Sequence, residues 1–178
     1  MTPSPDDRVA RLIDAALAAR PDGVLEQVAA DCEASLFDVL KRLPEGAAVI
    51  AEGERFEEVW GALTEWGDVP LILHTKDVVI ECTAPLPPGS SAHGYFNVHG
   101  SSPIGGHIKA TNCRAIAFVD RDFHGRQSCS VQFLNGEGTA MFKVFVRRDE
   151  ERTLIGEQLD RFVSLRARFG EPKGRDRS

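Results

Sequence analysis

The spacing of apolar residues changes once along this chain, close to Gly67. Before that glycine, apolar residues recur every three or four positions, which is typical of amphipathic helices. The clearest helical stretch is 54–66, in which Phe56, Trp60 and Leu63 fall on one stripe. After Gly67, short apolar segments alternate with polar residues at a period of two, and this pattern favours β-strands.

The second part of the chain predicts about seven strands and then a last helix. The segments with strand periodicity are 69–75, 78–83, 95–98, 106–110, 114–120, 128–134 and 139–147. Residues 150–169 return to helical spacing, with Phe162 and Val163 on the predicted inward face. Because no helix is predicted between successive strands, the order favours an α+β fold with a largely antiparallel sheet over a parallel, Rossmann-type sheet.

The order of these segments predicts three regions. We expect 1–48 to be an N-terminal helical segment packed on the core, 49–170 to be the core built on the antiparallel sheet, and 171–178 to be a polar tail. Residues 46–53 are interpreted as a link into the helix that follows them. A chain of 178 residues is long enough to bury a substantial core.

The charge of the chain argues against a nucleic-acid partner. The formal net charge is -6 at pH 7, whereas binding to phosphates needs an excess of lysine and arginine. Two short helices predicted between residues 22 and 48 resemble a helix-turn-helix, but that range holds six acids and two bases. The second helix begins at Ser35 without an arginine, glutamine or asparagine to read base edges. A DNA-binding regulator is therefore kept only as an alternative.

Cysteine usage and the N-terminal residues predict a cytoplasmic protein. The four cysteines lie far apart and form no Cys-x-x-Cys pair, which fits buried, reduced thiols. The first residues lack a basic and apolar leader, and no apolar run reaches the length of a transmembrane helix. We therefore expect no stable membrane association.

His74 ends the first strand of a predicted hairpin whose turn is Lys76-Asp77. In that register His74 lies across from Val79 and diagonal to Glu81. A carboxylate at that distance could hold one imidazole nitrogen, as the outer partners of metal-bound histidines do. The alternative is a strand-end histidine that is hydrogen-bonded to its own loop.

Residues 93–113 hold three of the five histidines and a dense cluster of glycines. Strand periodicity places His107 and Lys109 on one face, where an imidazole beside a cation suits a ligand that carries a metal and carboxylates. The alternatives are a glycine-rich hairpin with ordinary surface histidines, and a zinc site. The zinc ligands would be His93, His99, His107 and Cys113, a spacing that matches no known zinc motif. No phosphate-binding loop and no recognised nucleophile motif is present in the sequence.

Several motifs closely resemble the haem-utilisation carriers called HutX or ChuX. They are HGYFNVHG from residue 93, PIGGHIKA from residue 103, CRAIAFV from residue 113, AMFKVFV from residue 140, and EWG from residue 65. The similarity runs from about residue 21 to residue 169. The resemblance implies a homodimer with saddle-like antiparallel sheets, each chain being similar to half of the larger haem-degrading and haem-transfer proteins.

The function that the resemblance implies is that of an intracellular carrier. Such a carrier binds imported haem and passes it to a haem-degrading enzyme. Two histidines are tied to haem in that family, and they match His74 and His107, which are therefore the predicted iron ligands. His124 stands where we expect an apolar residue in relatives, so it is a possible competing ligand.

Haem chemistry suggests further binding residues. The propionates favour cations such as Lys109, Arg114 or Arg121. Apolar contacts to the porphyrin would come from Ile72, Ile108, Phe118, Phe133 and Phe142. A carrier must release its cargo, so we expect an open site. A haem-degrading enzyme on the same scaffold and a family member that no longer binds haem are the remaining alternatives, and a non-enzymatic carrier is favoured.

Overall fold

The computed structural model describes residues 5–170, so the first four residues and the predicted tail at 171–178 lie outside the described residues. The helices are α1 (Pro5–Ala19), α2 (Leu25–Asp31), α3 (Leu36–Leu40), α4 (Phe56–Leu63) and α5 (Gly156–Ala167). The strands are β1 (Ala48–Glu52), β2 (Asp68–His74), β3 (Val79–Pro85), β4 (Gly89–Ala92), β5 (Tyr95–Val98), β6 (Gly106–Ile108), β7 (Cys113–Phe123), β8 (Arg126–Asn135) and β9 (Ala140–Phe145).

These strands form two antiparallel sheets. The large sheet has six strands in the order β1-β7-β8-β9-β2-β3, and the small sheet has three in the order β4-β5-β6. The α+β class that the sequence predicts is confirmed. The β2–β3 hairpin also has the predicted register, with His74 opposite Val79 and Ile72 opposite Glu81.

Four local predictions differ from the structure. β1 falls within the stretch interpreted as a link, and β4 was not predicted as a strand. α5 begins at Gly156 rather than near residue 150, because a bridge between Arg148 and Leu154 keeps the preceding residues out of the helix. Val163 was expected to face inward, but its side chain lies on the solvent side of α5 and is 51% exposed.

An aromatic core lies on one face of the large sheet. Phe133 and Phe142 stack at 4.5 Å on that face, and Phe56 and Trp60 of α4 pack against Phe142. The small sheet covers the same core from outside, since Phe96 of β5 meets Trp60 edge to face at 5.7 Å. Burying these rings supplies much of the hydrophobic stabilisation of this side of the fold.

The three N-terminal helices cover part of the opposite face. Their buried side chains, which include Ile13, Val28 and Val39, contact the small residues Ala115 and Ala117 of β7. Small side chains on the strand let the helices approach the sheet closely. The rest of this face, over β9, β2 and β3, is not covered by these helices. The proposed boundary after residue 48 stays a prediction.

No helix among residues 5–170 is long and apolar enough to cross a membrane.

Candidate functional site

A cavity of about 640 Å³ lies on the part of the large sheet that the N-terminal helices leave open. Its floor is formed by side chains of alternate positions on β8, β9 and β2, and its walls by the start of α2 and by residues 147–154. The side chains that line it include Val24, Ile72, Val79, Val119, Phe123 and Phe145. A cavity of this size with mostly apolar walls is typical of sites for small organic ligands.

His74 lines this cavity and is held by a charged pair. Its Nδ1 lies 3.4 Å from Oε1 of Glu26, the second residue of α2. The same carboxylate oxygen accepts a hydrogen bond from the Nζ of Lys143 on β9, whose side chain is only 8% exposed. Among the described residues, no side chain is paired with Nε2 of His74. The second imidazole nitrogen is therefore available to a ligand.

The charges of this pair set the pKa of Glu26. Burial by itself would raise the pKa of the carboxyl, but the ammonium of Lys143 and its hydrogen bond outweigh burial and lower the pKa below its ordinary value. Glu26 is therefore ionised at neutral pH and can only accept hydrogen bonds.

Three arginines border the cavity, two of them bonded to backbone carbonyls and one paired with a carboxylate. Arg121 donates to the carbonyls of Pro21 and Gly23, which fixes the turn before α2. Burial lowers the pKa of Arg121, against the opposing effect of the nearby Asp22 and Asp122. Arg147 lies 3.6 Å from Asp68, and Arg148 donates to the carbonyls of Gln127 and Arg152.

Gln132 places an unsatisfied acceptor among the lining residues. It is 3% exposed, and its Nε2 donates to Oγ of Ser130 over 3.1 Å. Its Oε1 is buried without a hydrogen-bond partner among the described residues. A buried acceptor of this kind is normally satisfied by water or by a ligand.

His107 lies on the small sheet instead. Its Nδ1 is 2.7 Å from Oδ1 of Asn97. Its ring packs edge to face with the ring of Tyr95, with 6.1 Å between the ring centres. The Nζ of Lys109 lies 5.7 Å from the centre of the Tyr95 ring. His107 and Lys109 therefore lie near each other, as predicted, because both lie against the ring of Tyr95. The group is exposed, and none of its members lines the cavity of His74.

The two histidines face opposite sides of the fold. On β2, Val69 and Leu71 enter the aromatic core, so His74 and Ile72 point to the other side, into the cavity. On the small sheet, Phe96 points into that core, so Asn97 and the paired His107 point outward. A single chain therefore does not bring both imidazoles to one metal ion.

Of the remaining predicted binding residues, some line the cavity of His74 and others lie elsewhere. Arg114 lines a polar depression beside the turn at residues 135–137 and is not part of the cavity. Arg121 and Ile72 do line the cavity. Phe118, Phe133 and Phe142 are buried in the aromatic core and Ile108 packs against it, so these four residues do not line the cavity.

The other histidines lie at exposed positions. His93 and His124 occupy tight turns with φ near +50°, each followed by a glycine that also has a positive φ, as two-residue hairpin turns require. Residues 5–170 contain no cluster of three or more His, Cys, Asp or Glu side chains that could hold a metal ion. The zinc alternative thus has no support in the described geometry.

Comparison with known proteins identifies the family. A profile described as "Haem utilisation ChuX/HutX" matches residues 49–165. The intracellular haem transport protein HutX of Vibrio cholerae is 33% identical over 159 residues, which are 89% of this chain and 80% of that protein. The chain belongs to the ChuX/HutX family.

Solved structures of several similar proteins have the same fold. A protein of Agrobacterium tumefaciens is 48% identical with a TM-score of 0.86, over 95% of this chain and 99% of that one. The haem-binding protein ChuX is 40% identical with a TM-score of 0.81, over 89% and 99%. PhuS of Pseudomonas aeruginosa is 14% identical with a TM-score of 0.70 over 92% of this chain and 48% of PhuS, which confirms the predicted likeness to half of a larger protein.

Sequence reasoning missed the partners of His74 in this ChuX/HutX chain. It placed Glu81 as the nearest carboxylate, and Glu81 does line the cavity, but the carboxylate beside the imidazole is that of Glu26. Glu26 is 117 residues from Lys143. The only sequence signal was a lysine, Lys143, in an otherwise apolar strand.

Proposed function

We propose that this chain is a haem carrier and that haem binds in the cavity with His74 as an iron ligand. The observation that carries the proposal is the position of His74, whose Nε2 is unpaired among the described residues and whose ring borders a largely apolar cavity. A neutral imidazole is a common axial ligand of haem iron. The names of two relatives, a haem transport protein and a haem-binding protein, support this choice of ligand.

The residues of the cavity fit such a ligand. Apolar side chains such as Ile72 and Phe145 suit a porphyrin face, and Arg121, Arg147 and Arg148 place positive charge where propionates need it. The imidazole is partly exposed, with 28% of its side chain accessible, as expected of a site that must release its cargo. Transfer to a haem-degrading enzyme in the cytoplasm is part of this proposal.

His107 is proposed as a second iron-binding histidine, with Lys109 as the cation beside it. Because it faces away from the cavity, it serves either a separate haem or a haem shared with a second chain. Arg114 stays a predicted propionate partner, and its polar depression is distinct from both histidines.

A titration with haemin followed by reduction tests the carrier function. We expect the purified protein to give a Soret band that saturates at a fixed ratio and survives reductant and oxygen, because a carrier has no need to activate oxygen. Loss of that band with release of a discrete bilin would instead show a haem-degrading enzyme.

Dimer formation is expected through β3, one of the two edge strands of the large sheet. β3 ends the strand order, and Val79 and Ile80 are 51% and 54% exposed there. Exposed apolar edge strands favour pairing with another chain, and a two-fold axis would bring two such edges together.

Ile80→Lys is expected to convert the dimer to a monomer in light-scattering measurements. Val163→Lys is the matched control, since Val163 is equally exposed but lies on α5, far from the hairpin in sequence. A dimer that persists in Ile80→Lys, or that is lost equally in the control, would contradict this interface.

A further inference from the structure

Among residues 5–170, Glu26 is the carboxylate that the fold brings against the imidazole of His74. The contact joins the first turn of α2 to the end of β2, with Nδ1 and Oε1 at 3.4 Å, and the two residues are 48 positions apart in the sequence. Lys143, which lies in the floor of the cavity, donates a hydrogen bond to the same oxygen. The carboxylate is therefore fixed in place between a buried ammonium and the histidine ring.

The chemistry of this triad decides which imidazole nitrogen carries the proton. The carboxylate of Glu26 accepts a hydrogen bond from the ammonium of Lys143, which can only donate. A neutral His74 whose Nδ1 lies 3.4 Å from the carboxylate oxygen is expected to carry its proton on Nδ1, since an unprotonated Nδ1 would oppose the lone pairs of that oxygen. The lone pair of the ring is then on Nε2, the nitrogen that has no partner among the described residues.

We propose that Glu26 is a positioning residue that holds His74 in the Nδ1–H tautomer and thereby presents Nε2 as the metal-binding nitrogen. Lys143 anchors the carboxylate and balances its charge within the sheet. The statement about the tautomer concerns the ligand-free chain, and only its consequence for haem rests on the proposed function. Without Glu26, His74 returns to the Nε2–H form that free histidine favours, in which Nε2 has no lone pair to offer.

The first experiment measures the tautomer in the full-length, haem-free protein. Long-range ¹H–¹⁵N correlation spectra of the imidazole rings at pH 8 distinguish the two neutral forms, and the signals of His74 are those absent from His74→Ala. The informative variant is Glu26→Leu/Lys143→Met, which removes both charges, leaves Nδ1 without an acceptor at position 26 and leaves no unpaired buried ion. Lys143→Met alone is the matched control, because it keeps the carboxylate.

We expect the Nδ1–H form in the parent and in Lys143→Met, and the Nε2–H form or fast exchange in the double variant. An unchanged tautomer in the double variant would overturn the proposal. A folded double variant with the parent's dispersed amide spectrum makes either result decisive.

The second experiment titrates the same three proteins with haemin. We expect the double variant to bind about 10- to 100-fold more weakly than Lys143→Met, the range found when the outer partner of a metal-bound histidine is removed. Equal affinities, with the tautomer changed, would overturn the role of Glu26 in metal binding. Failure of the proposed function looks different, because His74→Ala would then bind haemin like the parent while the tautomer result still stood.

Discussion

Trp60→Ala is expected to lower the free energy of unfolding by about 4 kcal/mol, within the range for deleting a buried tryptophan side chain. Trp60 is 1% exposed and meets Phe96 and Phe142 edge to face, both at 5.7 Å. Its Nε1 also donates to the carbonyl of Pro87 over 2.9 Å. One side chain thus joins α4, the large sheet and the loop that enters the small sheet.

The loss of stability in Trp60→Ala should be greatest in the small sheet. With the indole gone, Phe96 loses one of its two aromatic contacts with α4 and keeps the one with Phe56, so amide hydrogens of β5 are expected to exchange faster than those of β8. Trp60→Phe is the matched control, because it keeps an aromatic ring but leaves the carbonyl of Pro87 without its donor, at a cost of about 1–2 kcal/mol. Urea unfolding gives the free energies. Equal losses in the two variants would show that the aromatic contacts contribute little.

Glu26→Gln is expected to cost about 3 kcal/mol, because it leaves the ammonium of Lys143 buried without a counter-ion. The value is at the lower end of the range for buried pairs, since the cavity allows some access to water. Glu26→Gln/Lys143→Met removes both charges and is expected to stay within about 1 kcal/mol of the parent. Urea unfolding of the parent, both single variants and the double variant measures the coupling directly. A double variant less stable than Glu26→Gln would contradict a charge-paired site.

The same pair predicts a dependence on pH. The pKa of Glu26 is lowered in the folded chain, so the unfolded chain takes up the proton first as the pH falls. The stabilisation by Glu26 is complete above the ordinary pKa of a glutamate and is lost as the pH falls through the lowered value. The stability difference between Glu26→Gln and the parent should therefore shrink on acidification.

The spacing of residues along the chain predicted those features of the site that depend only on residues close in sequence. The alternation of residues 69–83 was enough to place His74 opposite Val79, because a short turn fixes the register of a hairpin. β4, a run of glycine, serines and alanine, has no strand propensity of its own. It is a strand through its pairing with β5, and Gly89 is required there because a Cβ would collide with the ring of Phe96.

Contacts between distant segments could not be predicted in this way. Nothing near Glu26 in the sequence indicates that the first turn of α2 lies against β2 and β9, since that contact depends on how the helices pack on the sheet. The same holds for the separation of the two predicted ligands. Only the position of the small sheet on the aromatic core shows that His107 and His74 face opposite sides.

The most direct test of the account is a haemin titration of the parent, His74→Ala and His107→Ala, followed by absorption and resonance Raman spectroscopy. If haem binds in the cavity through His74, His74→Ala loses the axial imidazole, shifts the Soret band and binds more weakly. His107→Ala should then keep the parent spectrum for the haem in the cavity. A His74→Ala variant with the spectrum, affinity and stoichiometry of the parent would contradict the account.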